Sequence, residues 1–319
     1  MKAWQVQQLG TAPTFVDAAC PPPGPGEVRL QVAACGLNFA DLLMIKGQYQ
    51  EKPPLPITLG MEFAGTVTEL GAGVDGLRTG MRVAIYAGFG GLAEEAVVPA
   101  DRCVPLPDTM SFTDAAAFQI AYGTSHVALR DRARLQPGET VVVMGAAGGV
   151  GLTAVEIAHK MGARVIACAR GADKLEIARK VGADELVDIS DPDLRDRLKA
   201  LGGVDVVYDA VGDPMFTAAL RACRPGARVL VIGFAAGEVP QIPANYLLVK
   251  NITVHGLNWG GYLKFDPTVL TGSMTELFGW YAQGGLTPHI SHTLPLARAD
   301  EGLELLRSRQ STGKVVITI

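Results

Sequence analysis

The chain has 319 residues, 48% hydrophobic and 19% charged, with 38 glycines and a net charge of −4. That length exceeds what one hydrophobic core usually serves, so two domains are expected, with the composition of a packed protein rather than a disordered one. The acidic balance and the lack of a Lys/Arg block argue against nucleic-acid binding by phosphate neutralisation, and no uninterrupted apolar run has the length of a membrane span.

The first hundred residues read as β-rich. Lys2 to Gln7 and Val28 to Ala34 alternate or run apolar, and the Pro/Gly-rich Pro21 to Gly26 turns the chain ahead of the second run. A short helix is expected over Asn38 to Ile45. Further strands are expected over Met61 to Leu70, Met81 to Ala87 and Ala93 to Val98, and glycine-containing turns between them suggest a small barrel-like domain. From Ser111 the texture changes. Ser111-Phe-Thr-Asp114 resembles a capping box ahead of an Ala-rich helix, and a second helix is expected over Tyr122 to Arg130. Strands and helices then alternate. The expected strands are Thr140–Met144, Arg164–Ala169, Glu185–Asp188, Val204–Tyr208, Arg228–Ile232 and Ile252–Gly256, which together describe a doubly wound parallel α/β sheet. After Gly260 a helix near Thr268 to Gln283, a strand His289 to Leu294, a helix Ala299 to Ser308 and a final strand Lys314 to Ile319 are expected, the last returning to the first domain.

The most informative stretch is Thr140 to Ala158, TVVVMGAAGGVGLTAVEIA. A β-branched run, a cluster of small residues and a helix-like run follow one another, as a dinucleotide pyrophosphate requires: a tight turn, close backbone approach and a helix N-terminus. The G-x-G-x-x-G pattern is met with Ala146 in first position and Gly148 and Gly151 in the others, which puts Ala147, Gly148, Gly149 and Val150 against the phosphates. At the end of the next strand stand Arg170 and, one helical turn on, Lys174. A cationic pair suits a ribose 2′-phosphate and lacks the acceptor that NAD requires, so NADPH is expected; Asp173 fits a helix N-cap. Five cysteines with no C-x-x-C pair fit a reducing compartment, and MKAWQVQQLG lacks an apolar signal core, so a cytoplasmic protein is expected.

In order and spacing, several motifs resemble the medium-chain dehydrogenase/reductase superfamily, and most closely its zinc-free quinone oxidoreductase (zeta-crystallin-like) branch. They are Asn38-Phe-Ala-Asp41 with Lys46-Gly-Gln-Tyr49, Leu59-Gly-Met-Glu-Phe-Ala-Gly-Thr66, Ala146-Ala-Gly-Gly-Val-Gly151, Val206-Val-Tyr-Asp-Ala-Val-Gly212, Val231-Ile-Gly233 and Thr312-Gly-Lys-Val-Val316. The resemblance covers essentially the whole chain. It implies a GroES-like β-rich catalytic domain from residues 1–120 and 264–319, and a Rossmann NADPH-binding domain over 121–263. It also implies reduction of quinones or α,β-unsaturated carbonyls by hydride transfer, and a homodimer paired through the Ile252 to Leu257 edge. Alternatives are a 2-enoyl thioester reductase and a non-catalytic NADPH-binding, crystallin-like structural protein. RNA binding, known for some zeta-crystallins, is disfavoured by the acidic balance.

Zinc relatives place a Cys, a His and a further Cys where this chain has Asn38, Met61 and no Cys between Phe118 and Thr124, so no metal is expected. The resemblance points to Tyr49 as proton donor or carbonyl-orienting residue, with Asn38 and Thr124 beside the nicotinamide or substrate. A second tyrosine that many relatives carry six positions before Tyr49 is replaced here by Leu43. Asp41 and Glu62 are expected to be structural. Further cofactor contacts are expected from Val211, Gly233, Phe234, Asn258 and Lys314.

Overall fold

The computed structural model describes residues 1–190 and 192–319. In chain order its elements begin with β1 (Lys2–Val6), β2 (Thr14–Asp17), β3 (Glu27–Leu37), α1 (Phe39–Ile45), β4 (Ile57–Thr58) and β5 (Glu62–Leu70). They continue with β6 (Arg82–Tyr86), β7 (Glu95–Pro99), β8 (Cys103–Pro105), α2 (Phe112–Ala116) and α3 (Gln119–His126). Next come β9 (Thr140–Met144), α4 (Gly149–Lys160), β10 (Arg164–Ala169), α5 (Ala172–Lys180), β11 (Glu185–Asp188) and α6 (Leu194–Ala200). Then follow β12 (Val204–Asp209), α7 (Met215–Ala222), β13 (Cys223–Val231), α8 (Ala244–Lys250) and β14 (Thr253–Gly256). The chain ends with α9 (Tyr262–Phe265), α10 (Pro267–Ala282), β15 (Ile290–Pro295), α11 (Ala299–Arg307) and β16 (Lys314–Thr318).

Contacts divide the chain into one unit of residues 1–120 with 288–319 and another of 121–287. The first holds two sheets. One is a three-stranded sheet in the order β2-β1-β4. The other has seven strands in the order β15-β16-β3-β5-β6-β8, with β7 also on β3. The C-terminal strand β16 returns to pair antiparallel with β3, Val315 opposite Leu37 and Ile317 opposite Cys35. Alternation along β3 buries Val28, Leu30, Val32 and Ala34, as one covered face requires. Gly36 lets α2 lie directly on this strand, since a Cβ there would sit 2.0 Å from the Ala116 carbonyl oxygen. The Ala-rich helix is short, Phe112–Ala116, and is capped by Ser111 Oγ accepting from the Asp114 N–H.

The second unit is a six-stranded parallel sheet in the order β11-β10-β9-β12-β13-β14. This is the doubly wound arrangement whose strand order reverses beside the first strand, β9. Strand β9 is buried at every position, as a central parallel strand requires. The segment 264–287 packs with this unit rather than with the β-rich one. Its helix α10 buries Leu270, Ser273, Met274 and Leu277, and Ser273 Oγ meets Nδ1 of the buried His126 at 2.8 Å. Among the described residues, no helix is long and apolar enough to cross a membrane.

Candidate functional site

Four turns in the second unit follow the carboxyl ends of β9, β10, β12 and β13, where ligands of doubly wound sheets bind. After β9, Gly145 takes φ +74° and starts the tight turn; a Cβ there would lie 3.0 Å from Val211 Cγ2, so the turns after β9 and β12 touch. Gly148 precedes the first turn of α4 and offers no side-chain cap. The N–H groups of the first helical turn have no intrahelical partner, which leaves those of the half-buried Gly149 and Val150 as donors at the positive end of the helix dipole.

The two later glycines of the motif differ physically. A Cβ on Gly151 would sit 2.1 Å from the Gly145 carbonyl oxygen, so its absence is demanded by packing of the helix on the turn. A Cβ on Gly148 would meet nothing closer than 3.4 Å, and Gly148 is exposed with φ −80° and ψ 173°, which any residue adopts. The protein's own packing does not ask for glycine there. Ala147 is buried beneath the turn. The turn is braced from behind by hydroxyls. Ser125 Oγ on α3 donates to the Val150 carbonyl at 2.9 Å and lies 2.8 Å from Thr153 Oγ1 and 3.0 Å from the Tyr208 hydroxyl. This brace was not foreseen from sequence, although a tyrosine inside the apolar run Val204–Tyr208 is the kind of residue that demands a buried partner.

At the end of β10, Arg170 is exposed, and Lys174 is half-buried in the first turn of α5. Gly171, with φ +87°, occupies the N-cap, so Asp173 lies inside the helix rather than capping it. Asp188 stands nearby: its carboxylate accepts from the Gly171 N–H at 3.1 Å, and it is held below the usual carboxylate range by Ser190 and by the Arg170 charge. After β12, Asp209 is fully buried and accepts from the N–H groups of Val211 and Gly212, which fixes the turn; burial raises its carboxyl against those bonds. Phe234, 39% exposed, approaches Gly212, and the Gly233 N–H reaches the Asp209 carbonyl. Thr124 is buried on α3. Its neighbour Gly123 leaves room for the Trp259 indole, which a Cβ would meet at 2.7 Å, so the segments carrying Thr124 and Asn258 come together; Asn258 itself is exposed.

In the first unit, Lys314 requires correction. Its ammonium donates to the Leu37 carbonyl at 2.9 Å, Asn38 Oδ1 at 2.8 Å and Glu62 Oε1 at 2.7 Å. An ammonium has three donors and all three are used inside the unit, which leaves none for a cofactor. Asn38 is engaged as well: its Nδ2 donates to the Gly36 carbonyl at 3.2 Å and Glu62 Oε1 at 3.0 Å. The Lys314 and Glu62 side chains are 5% and 0% exposed, and Glu62 Oε2 also accepts from the Ile120 N–H. The geometry thus makes Asn38 the N-cap of α1 and a member of a buried polar cluster. Asp41 completes it, accepting from the N–H groups of Asn38 and Gly60, with its carboxyl pushed up to about 6 by burial.

Tyr49 is half-buried just beyond α1. Burial first, then the Glu51 charge, pushes the Tyr49 phenol up, while the neighbouring Tyr86 hydroxyl works the other way. The phenol is therefore protonated at neutral pH and able to donate. Among the described residues no group of three or more His, Cys, Asp or Glu is placed to hold a metal ion.

Comparison with known proteins agrees with this architecture. The family model for the alcohol dehydrogenase GroES-like domain matches residues 24–108, and that for the zinc-binding dehydrogenase matches 149–272. Quinone oxidoreductase-like protein 2 of Mus musculus is 39% identical over 100% of this chain and 95% of its own length. The chain belongs to the zinc-free quinone oxidoreductase family of medium-chain dehydrogenases/reductases. Two solved members superpose over all of both chains. The quinone oxidoreductase of Thermus thermophilus, solved also with NADPH, is 35% identical with a TM-score of 0.88. That of Escherichia coli, complexed with NADPH, is 29% identical with a TM-score of 0.93. The family's two parts correspond here to the GroES-like sheet unit and the parallel-sheet Rossmann unit.

Proposed function

We propose that this quinone oxidoreductase family member is a zinc-independent, NADPH-dependent reductase of quinones or α,β-unsaturated carbonyls. The observation that carries the reading is the mouth of α4: bare backbone donors, an exposed Gly148 that internal packing does not require, and Arg170 and Lys174 at the end of the neighbouring strand. The solved relatives that bind NADPH support the same cofactor. Gly148, Gly149 and Val150 hold the pyrophosphate by backbone N–H groups, Arg170 and Lys174 take the 2′-phosphate, and Val211, Gly233, Phe234 and Asn258 line the remaining length. Thr124 orients the nicotinamide edge. Bound NADPH supplies the hydride. Tyr49 donates a hydrogen bond, and then a proton, to the acceptor oxygen as negative charge develops on it. Where zinc relatives use a metal, this chain has Asn38 tied to Glu62 and Lys314, so chelators leave the rate unchanged.

Exposed apolar residues on α8, Leu248 at 79% and Val249 at 77%, precede β14, the edge strand that pairs with β13 on its inner side, and support a homodimer closed along that edge. The five unpaired cysteines fit the cytoplasm.

The test is NADPH oxidation under anaerobic conditions against a panel of small quinones and 2-enones, with NADH in parallel. Turnover with NADPH far above NADH is expected. Protein that binds NADPH yet reduces nothing in the panel contradicts the reductase reading. Tyr49→Phe is expected to lower kcat about 100-fold with unchanged NADPH affinity; an unchanged kcat removes Tyr49 from the chemistry.

A further inference from the structure

Behind the mouth of α4 three hydroxyls meet in the interior: Ser125 on α3, Thr153 on α4 and Tyr208 on β12. Ser125 and Tyr208 are fully buried and Thr153 nearly so. A buried hydroxyl costs free energy unless its proton finds an acceptor, so the three protons can be followed. Among the described residues the Tyr208 hydroxyl has one partner, Ser125 Oγ at 3.0 Å, and donates to it. The Ser125 proton then has two acceptors, the Val150 carbonyl at 2.9 Å and Thr153 Oγ1 at 2.8 Å, and both are on α4. Thr153 Oγ1 returns its own proton to α3, at the Ala121 carbonyl 2.9 Å away, a shorter approach than the 3.1 Å to the Val150 carbonyl of its own helix. The two helices thus clasp each other through hydroxyls, and Tyr208 holds the clasp from the sheet. Each member adjoins a segment of the candidate cofactor site. Ser125 follows Thr124 directly, Val150 is the second residue of α4, and Tyr208 leads into the Asp209 turn.

We propose that Ser125 is a positioning residue for NADPH: its hydroxyl holds the first turns of α4 in register with Thr124, so that the pyrophosphate and nicotinamide ends of one bound molecule are met together. The proposal rests on the cofactor reading above. The need for such a residue comes from the two ends being met by different helices. The N–H groups of Gly149 and Val150 can accept a phosphate wherever α4 stands, but a dinucleotide of fixed length meets Thr124 as well only if α4 and α3 keep one separation. Apolar packing alone tolerates small slides between helices, whereas hydrogen bonds are directional and do not. Fixing the register before the ligand arrives removes an ordering cost from binding. The clasp is also uncharged, so it adds no fixed charge beneath a site that takes an anion. A ligand that reaches only one of the two helices gains nothing from it.

The experiment uses the full chain and two probes, NADPH and adenosine 2′,5′-diphosphate, which carries both phosphates of the adenosine end but no nicotinamide. Kd values from calorimetric titration and melting of the unliganded proteins are compared for wild type, Ser125→Ala, Ser125→Ala/Tyr208→Phe and Thr153→Val. Ser125→Ala strands the buried Tyr208 hydroxyl and is expected to melt lower; the double variant removes the stranded group and should regain most of that loss. The ratio of the two Kd values decides the role, because a general loosening of the fold weakens both probes alike. In the double variant NADPH is expected to bind about 3- to 10-fold more weakly while the shorter probe stays within about twofold of wild type. Thr153→Val, which keeps the shape of the side chain, should shift the ratio the same way by less, and it carries the test if the double variant does not fold. An unchanged ratio, or NADPH affinity that returns together with the melting temperature, overturns the proposal and leaves the hydroxyls as structural groups only. If wild type binds neither probe, or Gly148→Ala binds both as tightly as wild type, the cofactor reading of the α4 mouth falls and the positioning role with it.

Discussion

The cluster of Asn38, Glu62 and Lys314 and the N-terminus of α4 are both built from strong polar groups, and they are opposite in state. In the cluster every donor of the Lys314 ammonium has an acceptor within the unit, and both Glu62 oxygens are engaged. At α4 the first-turn N–H groups have no intrahelical acceptor and the preceding residue has no side chain to supply one. Buried polar groups that complete one another hold a fold together; backbone donors left incomplete next to an open glycine are groups that a bound anion can satisfy. Family resemblance alone assigned Asn38 and Lys314 to the second kind, and the hydrogen bonds move them to the first.

The largest effect that tests this contrast is on stability. Lys314→Met leaves a fully buried Glu62 carboxylate without its cation, with an expected loss of about 3–5 kcal/mol in chemical denaturation. The double variant Lys314→Met/Glu62→Gln should lose less than the single one. A single-variant loss under about 1 kcal/mol would break the contrast, because it would mean that the cluster does not depend on its own completeness.

The same cluster carries a pH signature. Asp41 has its carboxyl raised from 3.8 to about 6 in the fold. Between those values the folded chain holds a proton that the unfolded chain has released, so this contribution is full below the lower value and is lost as pH rises through the upper one. The size is about 3 kcal/mol. Denaturation of wild type and Asp41→Asn at several pH values across that window should show a downward slope with rising pH in the first that is flattened in the second. Parallel curves would contradict it.

How much of this was legible in the sequence follows the range of the forces involved. Strands β9, β10 and β11 match their expected ends because β-branched runs bounded by turns are a local signal. The short β2, β4 and β8 were not foreseen: two to four residues carry too little periodicity, and pairing with neighbours defines them. The glycine turn was legible because backbone geometry constrains residue type directly. The partnerships of Lys314 with Glu62, 252 residues away, and of Ser125 with Tyr208 are products of topology that no local pattern encodes.

On the ligand side, changing both Arg170 and Lys174 to Ala should cut the preference for NADPH over NADH about 10- to 100-fold, read as the ratio of the two Kd values. Stability should change little, since Arg170 is exposed. A surviving preference would place the 2′-phosphate elsewhere.

The most direct measurement is calorimetric titration of NADPH into wild type and Gly148→Ala, with thermal melting of the unliganded proteins alongside Gly151→Ala. Gly148→Ala is expected to melt like wild type yet bind NADPH about tenfold more weakly. Gly151→Ala, whose new Cβ would lie 2.1 Å from the Gly145 carbonyl oxygen, is expected to lose stability. Full NADPH affinity in a well-folded Gly148→Ala would contradict the claim that the open mouth of α4 is where the cofactor binds.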